Sequence, residues 1–288
     1  MAKRNPRNRK PSETEPHWVD FAVAFGLLGF QWRTFVSGDL VHHVHSWIDS
    51  GLADRFYFLH KPPGMHLRFR AQCGQLVPQI AAFLDETAAA HGLERWHHSV
   101  YDCETSRFGG EVGIDIAHDF FTAESLLVLG YLRAYIRDEA RLSRPQISLF
   151  LLLELFERLV DGRWELWDVW CKMELVDRIP PLSPRVLADA RVEADRAYSV
   201  VGPLLSDRTG LLETAGPVER ELVKTFQPQV QRIARRLLIA RDEGKLLYGL
   251  RSILPSWAVF HWNRMGFSGE EQNSICLAMI YLLSPEAR

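Results

Sequence analysis

Residues 56–70 read Phe-Tyr-Phe-Leu-His-Lys-Pro-Pro-Gly-Met-His-Leu-Arg-Phe-Arg, and this stretch decides what kind of fold the chain adopts. Two alternating apolar runs flank a Pro-Pro-Gly turn at 62–64, a pattern typical of a β-hairpin. Because successive strand side chains point to opposite faces, His66, Arg68 and Arg70 are predicted to share one face. Three cationic or potentially cationic groups on a rigid strand fit an anionic ligand. A solvated outer face with two surface arginines is the alternative.

The rest of the sequence divides into a strand-rich first part and a helix-rich remainder. Residues 18–36 fit a strand or a helix, 39–52 and 76–91 fit helices, and 93–101 looks extended. From Ile116 onward, Pro and Gly signals separate helical patterns over 119–138, 144–161, 164–175, 184–205, 216–243 and 268–283. The sequence therefore predicts an α+β fold with a mixed or antiparallel sheet in the first part, rather than alternating βαβ units. Trp164, Trp167 and Trp170 are spaced as a buried stripe of one helix.

Length and composition indicate an ordinary globular protein. The chain has 288 residues, of which 47% are hydrophobic, and a formal net charge of -2, which argues against general nucleic-acid binding. Basic residues before the first acid, Glu13, predict a disordered basic tail over 1–16, followed by a single domain over 17–288. The sequence shows neither a signal peptide nor an uncharged stretch of membrane-spanning length, so the expected location is the cytoplasm. The four cysteines lack CxxC spacing, which predicts neither a zinc site nor a disulfide framework.

Two further clusters carry candidate functional residues. Glu104 and Arg107 stand three residues apart just before two glycines, which allow a tight turn or a close approach of the backbone to a ligand. A structural ion pair between Glu104 and Arg107 is the alternative. Near the C-terminus, His261, Asn263 and Arg264 precede a predicted helix and can build a hydrogen-bonded network. A lone histidine in such a place is more often structural.

Taken together, these motifs resemble the thiopeptide-type bacteriocin biosynthesis family, that is, the C-terminal domain of lantibiotic dehydratases and its stand-alone relatives. The family pattern has an aromatic strand, a Pro/Gly turn and His-Leu-Arg-Leu-Arg, then Tyr-x-x-Glu-x-x-Arg-Tyr-Gly-Gly, and finally a His-containing Asn-Arg-Leu/Met-Gly motif. This chain matches the pattern at 56–70, 101–110 and 261–266, and more loosely at 117–125. The likeness spans roughly residues 40–285.

The resemblance implies chemistry on a ribosomally made precursor peptide. In full-length dehydratases, an N-terminal domain transfers glutamate from glutamyl-tRNA to Ser or Thr, and the C-terminal domain eliminates it to leave dehydroalanine or dehydrobutyrine. A chain of 288 residues is too short for both parts. The expected function is therefore a split elimination lyase, which acts on the glutamylated precursor peptide after a separate glutamyl-tRNA-dependent glutamylating protein. We expect no metal, nucleotide or redox cofactor, no membrane contact and no direct contact with nucleic acid.

The resemblance also implies roles for individual residues. Arg68, Arg70 and Arg107 match the family's catalytic arginines, and guanidinium groups suit a leaving glutamate because they bind carboxylates and stabilise developing charge. His261 is the predicted acid/base, although the family's histidine often lies four residues before the Asn, where this chain has Val259. Substrate-binding roles are predicted for four residues: His66, Glu104, Asn263 and Arg264.

Two other functions stay open at the level of the sequence. Some stand-alone relatives are pyridine synthases, which join two dehydroalanines in a formal 4+2 cycloaddition and expel the leader peptide. If His261 cannot reach the site, either His66 is the acid/base or the chain belongs to this cycloaddition branch. The third possibility is a non-catalytic module that presents the precursor peptide to partner enzymes.

Overall fold

The computed structural model describes residues 16–25, 32–61, 64–91 and 93–285. The tail predicted over 1–16 therefore lies outside the described residues, except for Pro16. The described residues up to position 101, apart from 59–61, form one compact unit, and 59–61 with 102–285 form a second. This division does not test the predicted single domain over 17–288, which stays a prediction. In the described part of the chain, no helix is long and apolar enough to cross a membrane.

Among the residues that the structure describes, the first unit contains a sheet of four strands. Its strands are β1 (His17–Phe25), β2 (Ala53–Lys61), β3 (Gly64–Ala71) and β4 (Leu93–Ser99), in the order β2-β3-β1-β4. Strand β1 pairs antiparallel with both β3 and β4. The helices described in this unit are α1 (Trp32–Ser37), α2 (Asp39–Asp49) and α3 (Leu76–His91).

Strand β3 has an apolar face and a polar face, as its sequence predicts. Leu67 and Phe69 are fully buried, whereas His66 and Arg70 on the alternate face keep part of their surface in solvent. Trp47 of α2 packs edge-on against Phe69, with 5.5 Å between the ring centroids, so α2 covers the apolar face. Strands β2 and β3 are neighbours in the sheet, in agreement with the hairpin prediction, and the turn residues 62–63 lie outside the described residues.

The second unit is helical over its described residues. Its helices are α4 (Glu111–Ile136), α5 (Arg144–Phe156), α6 (Gly162–Cys171), α7 (Pro184–Ser206), α8 (Arg208–Thr214), α9 (Pro217–Asp242), α10 (Leu250–Met265) and α11 (Gly269–Leu283). A small antiparallel sheet in the first part and helices in the remainder confirm the predicted α+β class.

The helices differ from the sequence prediction in four respects. Helix α10 was missed because thirteen of its residues are buried, so the sequence has no amphipathic period, and because it contains Pro255. Helix α4 begins at Glu111 rather than 119, since Gly113 in its first turn resembles a loop signal. The tryptophan stripe of α6 is only partly buried: Trp170 is fully buried, but Trp164 is 64% exposed. The short helix α8 had not been predicted.

Glu219, in the first turn of α9, forms hydrogen bonds with the segment that connects α4 and α5. Its carboxylate is fully buried and accepts hydrogen bonds from the backbone N–H groups of Arg141 at 3.0 Å, Leu142 at 2.8 Å and Gly216 at 2.5 Å. Charge-assisted bonds of this kind are stronger than neutral ones. The Glu219 side chain therefore satisfies three backbone donors. Its charge also affects Tyr131, whose pKa is raised above its ordinary value first by burial and then by the neighbouring Glu219 carboxylate.

We expect Glu219→Ala to lower the free energy of unfolding by about 3 kcal/mol, because three buried N–H groups lose their acceptor. The matched control is Glu221→Ala on the same helix, which removes only an exposed ion pair with Lys224. This variant should change the free energy of unfolding by less than about 0.5 kcal/mol. Urea unfolding of both variants measures the difference. Equal losses in the two variants would contradict the role given to Glu219.

Candidate functional site

One carboxylate organises the polar face of the sheet. Asp20 on β1 is 1% exposed, and its two oxygens accept hydrogen bonds from His66 Nδ1 at 2.7 Å and from Arg68 Nε at 2.8 Å. The strand register explains how one side chain reaches both partners. Asp20 lies directly opposite Arg68, and His66, which lies opposite Ala22, is its diagonal neighbour. The site thus begins as a bridge across two neighbouring strands.

Arg68 is held at a second point by tyrosine. Its Nη1 donates to the Tyr57 hydroxyl at 3.0 Å, and Tyr57 donates to the Tyr101 hydroxyl at 3.3 Å. The guanidinium carbon lies 5.4 Å and 5.3 Å from the centroids of these two rings, and Trp18 stacks on Tyr101. Burial lowers the pKa of Arg68, but Tyr57 and the Asp20 carboxylate outweigh it, so the net shift is upward and the side chain stays charged.

Two nitrogen atoms on this face have no hydrogen-bond partner among the described residues. They are Nε2 of His66 and Nη2 of Arg68, whose other polar atoms are bonded to the neighbours just named. The side chain of His66 is 24% exposed and that of Arg68 is 11% exposed. The face can therefore offer a ligand one imidazole nitrogen and one charged donor, adjacent to each other on one strand.

Arg70, the third basic residue of this face, is paired with Asp54 of β2. Its Nε donates to Oδ1 at 2.7 Å, and its Nη2 donates to Oδ2, so the pair is bidentate. Burial raises the pKa of Asp54, but the hydrogen bond and charge of Arg70 outweigh it and hold that pKa below its ordinary value. The predicted row of basic side chains is present, and each arginine in it is accompanied by a carboxylate, Asp20 or Asp54.

Glu104 and Arg107 lie in the second unit and form an ion pair. Glu104 Oε2 is 2.7 Å from Arg107 Nη1, and Arg107 is about half exposed in a 3-10 helix that spans Thr105–Phe108. Gly109 and Gly110 both have left-handed backbone angles, with φ of 90° and 94°, which explains the need for glycine at the two positions. The ion pair that the sequence left open as an alternative is therefore formed.

His261 and Arg264 lie on α10 and share a buried carboxylate, Glu124 of α4. His261 Nδ1 donates to Glu124 Oε1 at 2.6 Å, and its Nε2 lies 2.8 Å from the Ser148 hydroxyl on α5. Arg264 Nε donates to the other oxygen of Glu124, and its guanidinium carbon lies 4.6 Å from the centre of the Phe121 ring. The side chains of His261, Arg264 and Glu124 are fully buried. This cluster ties three helices of the second unit together.

His261 lies inside α10, a helix that the sequence does not predict. Both ring nitrogens of His261 are within hydrogen-bond distance of protein atoms, and the residue has no exposed surface. Asn263 accepts a bond from Gln272 at 3.3 Å. The catalytic role predicted for His261 and the binding roles predicted for Asn263 and Arg264 stay predictions.

Sequence reasoning missed the carboxylates that join these side chains, although each left a signal. Asp20 is an acid within the apolar alternating run of 17–25, which indicates a buried charge with a partner. Glu124 falls in the loosely matched segment 117–125. Neither signal identifies a partner. Among the residues that the structure describes, no group of three or more His, Cys, Asp or Glu side chains is placed to hold a metal ion.

Comparison with known proteins identifies the family. Solved structures that share the fold include the following three. The tRNA-dependent lantibiotic dehydratase MibB from Microbispora sp. 107891 is 18% identical with a TM-score of 0.68, and the match covers 95% of this chain and 28% of MibB. TsrL is 15% identical with a TM-score of 0.58, and the match covers 92% of this chain and 93% of TsrL. The pyridine synthase TbtD from thiomuracin biosynthesis is 16% identical with a TM-score of 0.55, with coverage of 91% and 96%.

At these identities the structural likeness shows the fold alone, and the chain spans little more than a quarter of MibB. The sequence profile of the lantibiotic biosynthesis dehydratase C-terminal family matches residues 28–282. The chain therefore belongs to this family, as its motifs predict. A search among curated protein sequences found no match.

We expect Glu124→Ala to lower the free energy of unfolding by about 3 kcal/mol, because it removes a buried carboxylate that bonds both His261 and Arg264. The control is Glu111→Ala, at an exposed position in the first turn of the same helix. This variant should lower the free energy of unfolding by less than about 1 kcal/mol. Chemical unfolding followed by circular dichroism compares the two variants. A loss for Glu124→Ala no larger than that for Glu111→Ala would show that the buried cluster does not stabilise the fold.

Proposed function

We propose that this chain is a peptide-modifying lyase. Its reaction eliminates glutamate from glutamylated Ser or Thr residues of a ribosomally made precursor peptide and leaves dehydroalanine or dehydrobutyrine. Its partners are this glutamylated peptide and a separate glutamyl-tRNA-dependent protein that glutamylates it. Membership of the dehydratase C-terminal family supports the proposal. The observation that carries it is the Asp20 bridge, which fixes an imidazole and a guanidinium side by side on one strand face.

The elimination needs a base at one atom and charge stabilisation at another. A base removes the Cα proton, the freed electron pair forms the Cα–Cβ double bond, and the Cβ–O bond breaks so that glutamate leaves as a carboxylate. His66 Nε2 is the proposed base, since it has no partner among the described residues. Arg68 Nη2 donates to the leaving carboxylate, and a preorganised donor of this kind lowers such barriers by about 3 kcal/mol.

Arg70 is proposed to bind the free carboxylate of the glutamyl group, and Arg107 keeps the catalytic role that the family resemblance implies. Their side chains are 29% and 49% exposed, so a substrate carboxylate has access to each guanidinium. Each already has a partner, Asp54 or Glu104, with which the substrate must compete. Exposed ion pairs contribute about 1 kcal/mol or less to stability, so this exchange is energetically modest.

The histidines are assigned by their exposure. His261 is fully buried between Glu124 and Ser148, whereas His66 is partly exposed and keeps one ring nitrogen for substrate. We therefore assign the proton transfer to His66 and a structural role to His261. The proton transfer does not require Glu104, Asn263 or Arg264, and the substrate-binding roles predicted for these three residues stay predictions.

A second candidate function is pyridine synthesis from two dehydroalanines. The observation that favours it is the burial of His261 together with Val259 at the position where the family often has its catalytic histidine. A chain without an accessible histidine in this motif fits a different reaction on the same fold. The solved pyridine synthase TbtD has that fold.

We expect Arg68→Ala to slow elimination about 100-fold or more, because it removes the donor to the leaving carboxylate. Arg70→Ala and Arg107→Ala should also leave glutamylated peptide to accumulate. The assay is incubation of glutamylated precursor peptide with pure protein, followed by mass spectrometry. The control is Arg95→Ala on β4, an exposed arginine of the same sheet outside the proposed site. Normal product from all three site variants would refute the assignment.

We expect His66→Ala to abolish elimination while the protein stays folded, because Asp20 keeps its bond to Arg68. His261→Ala should lower the unfolding temperature and retain activity per folded molecule, because it removes only buried contacts. The same mass assay with a melting curve separates the two effects. An active His66→Ala protein beside a folded, inactive His261→Ala protein would reverse the assignment.

The same preparation decides between the candidate functions. Elimination predicts dehydrated product from the glutamylated peptide and no change in a peptide that already carries two dehydroalanines. Conversion of the latter to a pyridine-containing macrocycle, with the glutamylated peptide untouched, would replace elimination by the second candidate. Tight binding of both peptides with no reaction would instead identify a module that presents the precursor.

A further inference from the structure

We propose that Asp20 is a positioning residue that sets the tautomer of His66 and the orientation of Arg68. This inference rests on the proposed elimination and adds to it a residue that the motifs do not include. Asp20 does not contact the substrate in this scheme. It acts through the two side chains that do.

The tautomer follows from the donor and acceptor roles at Asp20. Its Oδ1 lies 2.7 Å from His66 Nδ1, and a carboxylate oxygen can only accept, so Nδ1 must carry the proton. The neutral ring then has its lone pair on Nε2, the atom assigned as the base. In the opposite tautomer, a lone pair on Nδ1 would face the carboxylate at this distance, which is repulsive.

The same carboxylate fixes the guanidinium of Arg68. Nε donates to Asp20 Oδ2 at 2.8 Å and Nη1 donates to the Tyr57 hydroxyl at 3.0 Å. A guanidinium is planar and rigid, so two bonded nitrogens determine the direction of the third, Nη2. The donor to the leaving group is therefore oriented before substrate binds, which is what transition-state stabilisation requires.

Packing alone gives no reason for a carboxylate at this position. The apolar contacts of β1 with the core are made by Phe21 and Val23, which lie on the opposite face of the strand from Asp20 and are almost fully buried. A buried ion pair generally contributes no more to stability than well-packed apolar side chains of similar volume. The value of Asp20 lies in the geometry that it imposes on two polar neighbours.

The substitution Asp20→Asn tests this role because it exchanges the donor and the acceptor in the hydrogen bond between residue 20 and His66 Nδ1. Arg68 Nε can only donate, so it retains the single amide oxygen, and the amide nitrogen then turns toward His66. An N–H group facing Nδ1 requires that atom to accept, which moves the ring proton to Nε2. The variant should thus lose the base while the shape of the site is kept.

The experiment is ¹⁵N NMR of the imidazole nitrogens in the full chain at alkaline pH, with the His66 signal assigned by its absence in His66→Ala. We expect the Nδ1–H tautomer in the unchanged protein and the Nε2–H tautomer in Asp20→Asn. The matched control is Asp54→Asn, which removes the carboxylate paired with Arg70 on the same face and should leave the His66 spectrum unchanged. An Nε2–H tautomer in the unchanged protein overturns the inference, even if Asp20→Asn does not fold.

Kinetics then connect the tautomer to the reaction. Asp20→Asn should lower kcat for elimination about 100-fold or more with KM changed less than about threefold, because binding contacts remain while the base is lost. Unchanged kcat in a folded Asp20→Asn protein overturns the inference and leaves elimination intact. Absence of elimination in the unchanged protein refutes the proposed function, whereas the NMR spectra still decide the tautomer.

Discussion

The antiparallel register between β1 and β3 is the constraint on which the candidate site depends. It sets Asp20 opposite Arg68 on the polar face, and it sets Phe21 opposite Leu67 in the core. A slip of one residue would exchange these faces and place the acid among apolar side chains. Burial of Phe21 and Leu67 therefore fixes the same register that brings the acid to its two partners. The free energy that selects the fold also selects the geometry of the site.

The protein repeats one chemical arrangement in two environments. In each unit a buried carboxylate bridges a histidine and an arginine: Asp20 joins His66 to Arg68, and Glu124 joins His261 to Arg264. In the first unit the histidine keeps one nitrogen and some exposed surface, whereas in the second both ring nitrogens have protein neighbours and nothing is exposed. The residue types are the same, so accessibility distinguishes a site that can do chemistry from a cluster that holds helices together.

The sequence predicted what local patterns determine and missed what distant contacts determine. The hairpin and the alternation of β3 were readable because the turn and the polar positions lie within fifteen residues. The partner of His66 lies 46 residues away on a strand that the sequence left as strand or helix, and the partners of His261 lie 137 and 113 residues away. Helix α10 could not be predicted from the sequence for a related reason. A helix buried on all sides has no polar face, so its period is absent from the sequence.

The carboxylates beside the two strand arginines give these arginines different properties. Asp20 occupies Nε of Arg68 and leaves Nη2 available, so a substrate carboxylate can be bound without displacing any protein group. Asp54 occupies two nitrogens of Arg70 in a bidentate pair, so a substrate must compete for the same fork. The first arrangement suits an interaction that strengthens as charge develops on a leaving group, because nothing has to reorganise at that moment. The second suits an exchangeable contact that is made on binding and released with the product.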